Sequence, residues 1–169
     1  MFDEKNCKDK YTRITQILIE KNLQITTMES CTAGQIASLI TDTEGSSAIM
    51  RGAFITYSNE AKVKCGVHAQ IIEKYGVYSE ETACAMARAA ADAFDTDIAI
   101  GITGSFANVD PANADSQPGE IFFAIWVKDG NTGSIHTSHV TDIHGVCRHE
   151  DKMIAADHVA DALLMILER

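Results

Sequence analysis

Basic residues are scarce in this chain. Fourteen lysines and arginines stand against 24 aspartates and glutamates, a formal net charge of −10. Affinity for phosphate backbones comes from clustered cations, so this balance argues against nonspecific binding to nucleic acid or to an anionic membrane. A small anionic ligand needs only a local donor cluster and stays open. No apolar run approaches the length of a membrane span, and Met1 to Lys10 has no apolar signal-peptide core. The cysteines are odd in number (Cys7, Cys31, Cys65, Cys84, Cys147), and no two form a C-x-x-C pair. A disulfide framework or zinc ribbon is not expected, and the reading is a cytoplasmic protein. No Walker-type or dinucleotide glycine pattern is present, nor any internal repeat.

Metal ligation also finds little support. His136 and His139 are three apart on a predicted strand and face opposite sides. Asp110, Asn113 and Asp115 loosely resemble a calcium loop, but Pro111 and the missing central glycine spoil the pattern. No metal is expected.

What is present is a chain of 169 residues, 46% hydrophobic and 22% charged, long enough for one domain with a real core. Helices and strands alternate. Cys7 to Asn22 reads as an amphipathic helix with Tyr11, Ile14, Ile17 and Leu18 near one face, and Leu23 to Met28 as a short strand. Thr32 to Thr41 reads as a helix and Ala53 to Tyr57 as a strand. Asn59 to Cys65 and Ala69 to Tyr75 are short helices broken by Gly66. Ser79 is an N-cap for a helix to Phe94, whose alanines suit close packing on a sheet. Asp97 to Ile102, Glu120 to Lys128 and Gly133 to Asp142 are further strands, and Cys147 to Glu168 a final helix. The order implies helices packed on a mixed sheet of about five strands in two or three layers, a layered α/β/α sandwich in the three-layer case. The long irregular stretch is Thr103 to Gly119, a length that usually carries function.

Chemistry concentrates where two strands end. Met28-Glu29-Ser30-Cys31-Thr32-Ala33-Gly34 puts a carboxylate, hydroxyls and a thiol at a strand-to-helix junction. Tyr57-Ser58-Asn59-Glu60-Ala61-Lys62 puts a phenol, an amide and an amine past another strand. Ligands of α/β proteins bind at such ends. Ser30 is a nucleophile if a base takes its proton, and Glu29 and Lys62 are the nearby bases. A desolvated amine can fall toward neutrality and fill that role, with Tyr57 relaying a proton or binding an oxyanion. Cys31 is the rival nucleophile. Each has a plainer reading: Ser30 as a helix N-cap, Lys62 as a surface lysine, Cys31 as an apolar filler. Gly45-Ser46-Ser47 and Thr103-Gly104-Ser105 are small-residue turns whose amides suit an anion nest, or simply turns.

Together these segments resemble the CinA C-terminal-domain family, whose enzymatic members are nicotinamide-nucleotide amidohydrolases. The family's Glu-Ser-Cys-Thr-Gly-Gly reads here Glu29 to Gly34; its Gly-Ser-Ser is Gly45-Ser46-Ser47; its Tyr-Ser-Asn-x-x-Lys is Tyr57 to Lys62. Gly76 to Glu81 and Pro118-Gly119 also look like the family. The resemblance implies a stand-alone single-domain form, 1–169, without the extra N-terminal domain of many relatives. It implies a pocket for a pyridine mononucleotide and hydrolysis of the nicotinamide carboxamide, with no cofactor and a homo-oligomeric assembly. By the same resemblance Ser30 attacks, Lys62 is the base and Tyr57 assists. Backbone amides near Cys31 and Thr32 hold the oxyanion, and Ser46, Ser47, Asn59 and Arg148 bind phosphate or ribose. The alternative is a non-catalytic nucleotide- or partner-binding module in a competence or DNA-damage setting.

Three departures from the family pattern stand out. Ala33 replaces a glycine, placing a Cβ where backbone or ligand passes closely. The loop after the third strand, normally glycine-rich, carries Phe106 and Asp110, expected to bring bulk and negative charge toward an anionic nucleotide. Cys147-Arg148 stands for an Asp/Asn-Arg pair, and Lys152 for a further arginine.

Overall fold

The structure, a computed structural model, describes residues 2–114 and 116–169. Asp115 of the loose calcium-loop pattern therefore lies outside the described residues. The expected three layers form. Five strands run in the order β2 (Met50–Ile55), β1 (Ile25–Glu29), β3 (Ile98–Ser105), β4 (Glu120–Asp129), β5 (Thr132–Val140). The first three are mutually parallel, whereas β4 and β5 are antiparallel additions.

Alternation along β3 explains the layering. Ile98, Ile100 and Ile102 face a core built with α1 (Glu4–Lys21), α2 (Gln35–Thr41) and α6 (Arg148–Leu167). Ala99 faces the other side, where α5 (Glu80–Phe94) supplies Ala83, Met86, Ala87 and Ala90. The alanines permit very close approach: a Cβ on Gly101 would sit 2.2 Å from the Ala83 carbonyl oxygen. Such contact between helix and strand leaves no room for a larger side chain.

Caps set the helix boundaries. Asp3 accepts from the Asn6 amide and starts α1, and Asn22 in the left-handed region ends it. Ser58 accepts from the Ala61 amide and starts α3 (Asn59–Lys64); α4 (Ala69–Tyr75) follows. Ser79 caps α5 as expected, accepting from the Thr82 amide. Several boundaries differ from the sequence reading: α1 begins three residues earlier, at Glu4, and β3 runs three residues further, to Ser105. The helix expected from Thr32 begins at Gln35, because residues 30–34 form a turn with Ala33 and Gly34 both at positive φ. The second strand starts three residues earlier than expected and ends two earlier, with Ile25 paired to Met50.

That turn carries a stability prediction. Ala33 has φ 52°, where a Cβ crowds the following carbonyl. Ala33→Gly relieves this and pays only part of it back in unfolded-chain entropy, so a gain of about 0.5–1 kcal/mol is expected. Urea denaturation measures it; an unchanged or lower midpoint means the turn already accommodates the methyl.

Candidate active site

Residues beyond the C-terminal ends of β1, β2 and β3 converge on an open cleft of about 650 Å³, lined by Ser30, Lys62, Tyr57, Asn59, Asp110 and Arg148 among others. This is the size range of small-ligand sites. At its floor the Lys62 ammonium donates to Ser30 Oγ at 3.0 Å and to the Thr56 carbonyl at 2.9 Å. Helix α3 achieves this by pointing its buried face at the end of β1. Lys62 is 1% exposed, so it is not a surface lysine. Burial pushes its amine down from the ordinary 10.5 to about 8, with the nearby Cys31 and Asp110 opposing the shift.

Ser30 is not a helix cap. Its amide donates to the Ile102 carbonyl, tying the turn to β3, and its hydroxyl is left for Lys62. The N-cap position of α2 is Gly34, and the side chain that serves its free amides is Glu29. This fully buried carboxylate accepts from the Thr27 and Thr32 hydroxyls at 3.0 and 2.7 Å. It also accepts from the amides of Gly34, Ile36 and Ala37 at 3.0, 3.1 and 2.9 Å. Five donors saturate an acceptor with about four lone-pair sites, and the helix N-terminus favours its charge. Glu29 is thus a positioning group that folds the 30–34 turn, not the base for Ser30.

The Cys31 thiol lines the cleft but is a poor nucleophile. Burial, then the Glu29 charge, pushes it up to about 12. The amides of Cys31 and Thr32 donate to no backbone carbonyl among the described residues and approach the Cys31 sulfur. They lie beside Ser30 at the head of the turn.

Tyr57 stands at the rim, 62% exposed, and its hydroxyl accepts from the Arg148 guanidinium at 3.0 Å. It thus engages Arg148 rather than the amine. Arg148 also lies over the Phe106 ring, 5.1 Å from its centroid. Asn59 lines the cleft and donates to Asn113 of the β3–β4 loop at 3.0 Å. Gly104 lines the cleft, whereas Thr103 is buried behind it and donates to the Val77 carbonyl at 3.0 Å.

Two expectations need correction. Ser46 and Ser47 form a single 3-10 turn just before β2, at the opposite end of the parallel strands from Ser30. They are not among the residues that line the cleft. Phe106 does not intrude on the site: it is fully buried in the core against α1, α2 and α6. Asp110 does reach the cleft, as its charge predicts. Sequence reading missed Tyr78, whose hydroxyl donates to Asp110 Oδ2 at 2.6 Å. Its position just before the Ser79 cap is the available signal.

Comparison with known proteins gives consistent matches. Residues 8–168 match the family model described as CinA C-terminal domain. A putative competence-damage inducible protein of Clostridium beijerinckii is 40% identical over 116 residues, 68% of this chain and 28% of that protein. A CinA-like protein of Kosmotoga olearia is 35% identical over 155 residues, 91% of this chain and 37% of that one. The chain thus spans between 28% and 37% of the length of these relatives. Among solved structures, a competence-damaged protein (CinA) superfamily protein from Escherichia coli superposes with TM-score 0.85 at 27% identity, over 98% of this chain and 93% of the other. A competence/damage inducible protein from Agrobacterium tumefaciens gives 0.83 at 26%, over 96% of each chain. No helix among the described residues is long and apolar enough to cross a membrane.

Proposed function

The chain belongs to the CinA C-terminal-domain family, and we propose that it is an amidohydrolase converting nicotinamide mononucleotide to nicotinate mononucleotide and ammonia. One observation carries the reading: a buried amine, held near neutrality, lies 3.0 Å from a serine hydroxyl at the floor of a nucleotide-sized cleft.

The chemistry follows from that pair. Neutral Lys62 keeps its donation to the Thr56 carbonyl and accepts the Ser30 proton while Ser30 Oγ bonds to the carboxamide carbon. The carbonyl oxygen takes the negative charge against the Cys31 and Thr32 amides. The Lys62 ammonium then protonates the departing nitrogen, and ammonia leaves an ester on Ser30. Water, deprotonated by the same amine, cleaves the ester and restores the hydroxyl. Arg148 and Tyr57 at the rim receive the phosphate.

The reading makes a pH prediction. Only the unprotonated amine accepts the serine proton, so kcat/KM rises with pH and levels off above about 8. A profile flat from pH 6 to 9 excludes Lys62 as the base. The other expectation, a binding module without turnover, is separated by the same material: a thermal shift with mononucleotide and no ammonia supports binding alone.

A further inference from the structure

Most of the cleft belongs to the reaction just described, but one of its charges is unused there. Asp110 sits in the β3–β4 loop, and its carboxylate is held from both walls. Tyr78, at the foot of α5, donates to Oδ2 at 2.6 Å, and Asn113 donates to the same oxygen at 2.5 Å. The Ala112 amide donates to Oδ1 at 2.9 Å. Asn113 in turn accepts from Asn59 on α3, one helical turn before Lys62. The loop is thereby fastened across the cleft, with the acid fixed in place rather than solvated at a loop tip.

We propose that Asp110 is a specificity-determining residue that selects ligands carrying a positive charge on the ring beside the scissile amide. The proposal rests on the reading of the cleft as a mononucleotide site and names the charge state that the site prefers. Three donors leave one lone-pair direction on Oδ1 and the whole negative charge. The hydrogen bonds from Tyr78, Asn113 and Ala112, with the Lys62 charge adding, hold the carboxyl below its usual range, so it is ionised wherever the base is active. When Lys62 gives up its proton, Arg148 is the remaining cation among the described residues that line the cleft. Asp110 then stands as an anion within electrostatic reach of the Lys62 position, in the cleft that Arg148 also lines. Glu60, the other acid among the described residues that line the cleft, is exposed and turned to Ser58 and its own helix end. The cleft is therefore polarised: negative where a ring enters, positive where an anionic tail ends. A zwitterion with a cationic ring and an anionic phosphate matches both poles, and a neutral ring forfeits one of them.

Oxidised and reduced nicotinamide mononucleotide test this directly. They share carboxamide, ribose and phosphate, but the reduced ring is uncharged. Binding is measured by calorimetry in a Ser30→Ala background, so that neither ligand is consumed. The oxidised form is expected to bind about tenfold more tightly, the worth of one fixed charge at a half-exposed site. Adding Asp110→Asn keeps the side-chain shape and is expected to bring the two affinities within about twofold, leaving the reduced ligand little changed. Equal affinities without that change overturn the proposal, as does a preference that survives Asp110→Asn. If neither mononucleotide binds, the substrate reading falls. The 1-methylnicotinamide cation and neutral nicotinamide, which lack phosphate, then decide on Asp110 alone. Preference for the cation that Asp110→Asn removes upholds the selector, and its absence overturns it.

Discussion

Ser30→Ala and Lys62→Met are each expected to lower the proposed ammonia release from nicotinamide mononucleotide by about 10⁴- to 10⁶-fold, with the double variant no worse than either single one. The non-additivity is the informative part. Ser30 and Lys62 form one hydrogen-bonded unit: without the amine the hydroxyl keeps its proton, and without the hydroxyl the amine has nothing to activate. Losses that multiply imply two independent contributions and reject the pair. Lys62→Met also carries its own folding control. Folding lowers the amine from 10.5 to about 8, so the ammonium destabilises the native state fully below pH 8. That penalty fades as pH rises from about 8 to 10.5, because the unfolded chain binds the extra proton there. Methionine matches the stem and has no charge to desolvate, although the Thr56 carbonyl loses its donor. The variant should gain on the order of 1–2 kcal/mol at pH 7. An inactive but more stable protein separates loss of chemistry from loss of fold.

The layers were legible because each element writes its own period. The isoleucines at 98, 100 and 102 alternate with small residues, and the alanines of α5 announce the close approach that Gly101 completes. The Ser30–Lys62 pair was legible because both residues follow strands that end on the same side of a parallel sheet. That same rule, applied one step further, places Ser46 and Ser47. Residues that precede a parallel strand lie at its other end, so the turn before β2 cannot reach the ligand side of its own chain. Phe106 is similar. Its number shares the parity of Ile98, Ile100 and Ile102, and β3 runs on to Ser105, so the ring continues the apolar face instead of entering the loop. What no pattern carried is the long-range bonding of Asp110 to Tyr78, across 32 positions of chain, and the role of Glu29. A carboxylate at the end of a strand reads as a base until the turn after it brings a helix N-terminus back onto it.

Glu29→Gln is expected to destabilise the fold by about 3 kcal/mol, a fall in Tm on the order of 10 °C. The substitution changes almost no volume, so the loss comes from hydrogen-bond polarity. All five groups around the carboxylate donate: two hydroxyls and the amides of Gly34, Ile36 and Ala37. A carboxamide must turn its NH₂ toward at least one of them, which sets donor against donor in a fully buried place. The helix N-terminus also loses the anion that its dipole favours. Thr27 and Thr32 can rotate their hydroxyls away, but the amides are fixed by the helix, so relief has to come from moving the 30–34 turn. That turn carries Ser30 and the Cys31 and Thr32 amides proposed above as oxyanion donors. Activity should therefore fall along with stability, and it should fall in kcat rather than in KM, because Tyr57, Asn59 and Arg148, the cleft residues proposed to bind the ligand, stand on other elements. A Glu29→Gln variant with unchanged melting and full turnover shows that the carboxylate neither anchors the helix nor shapes the turn.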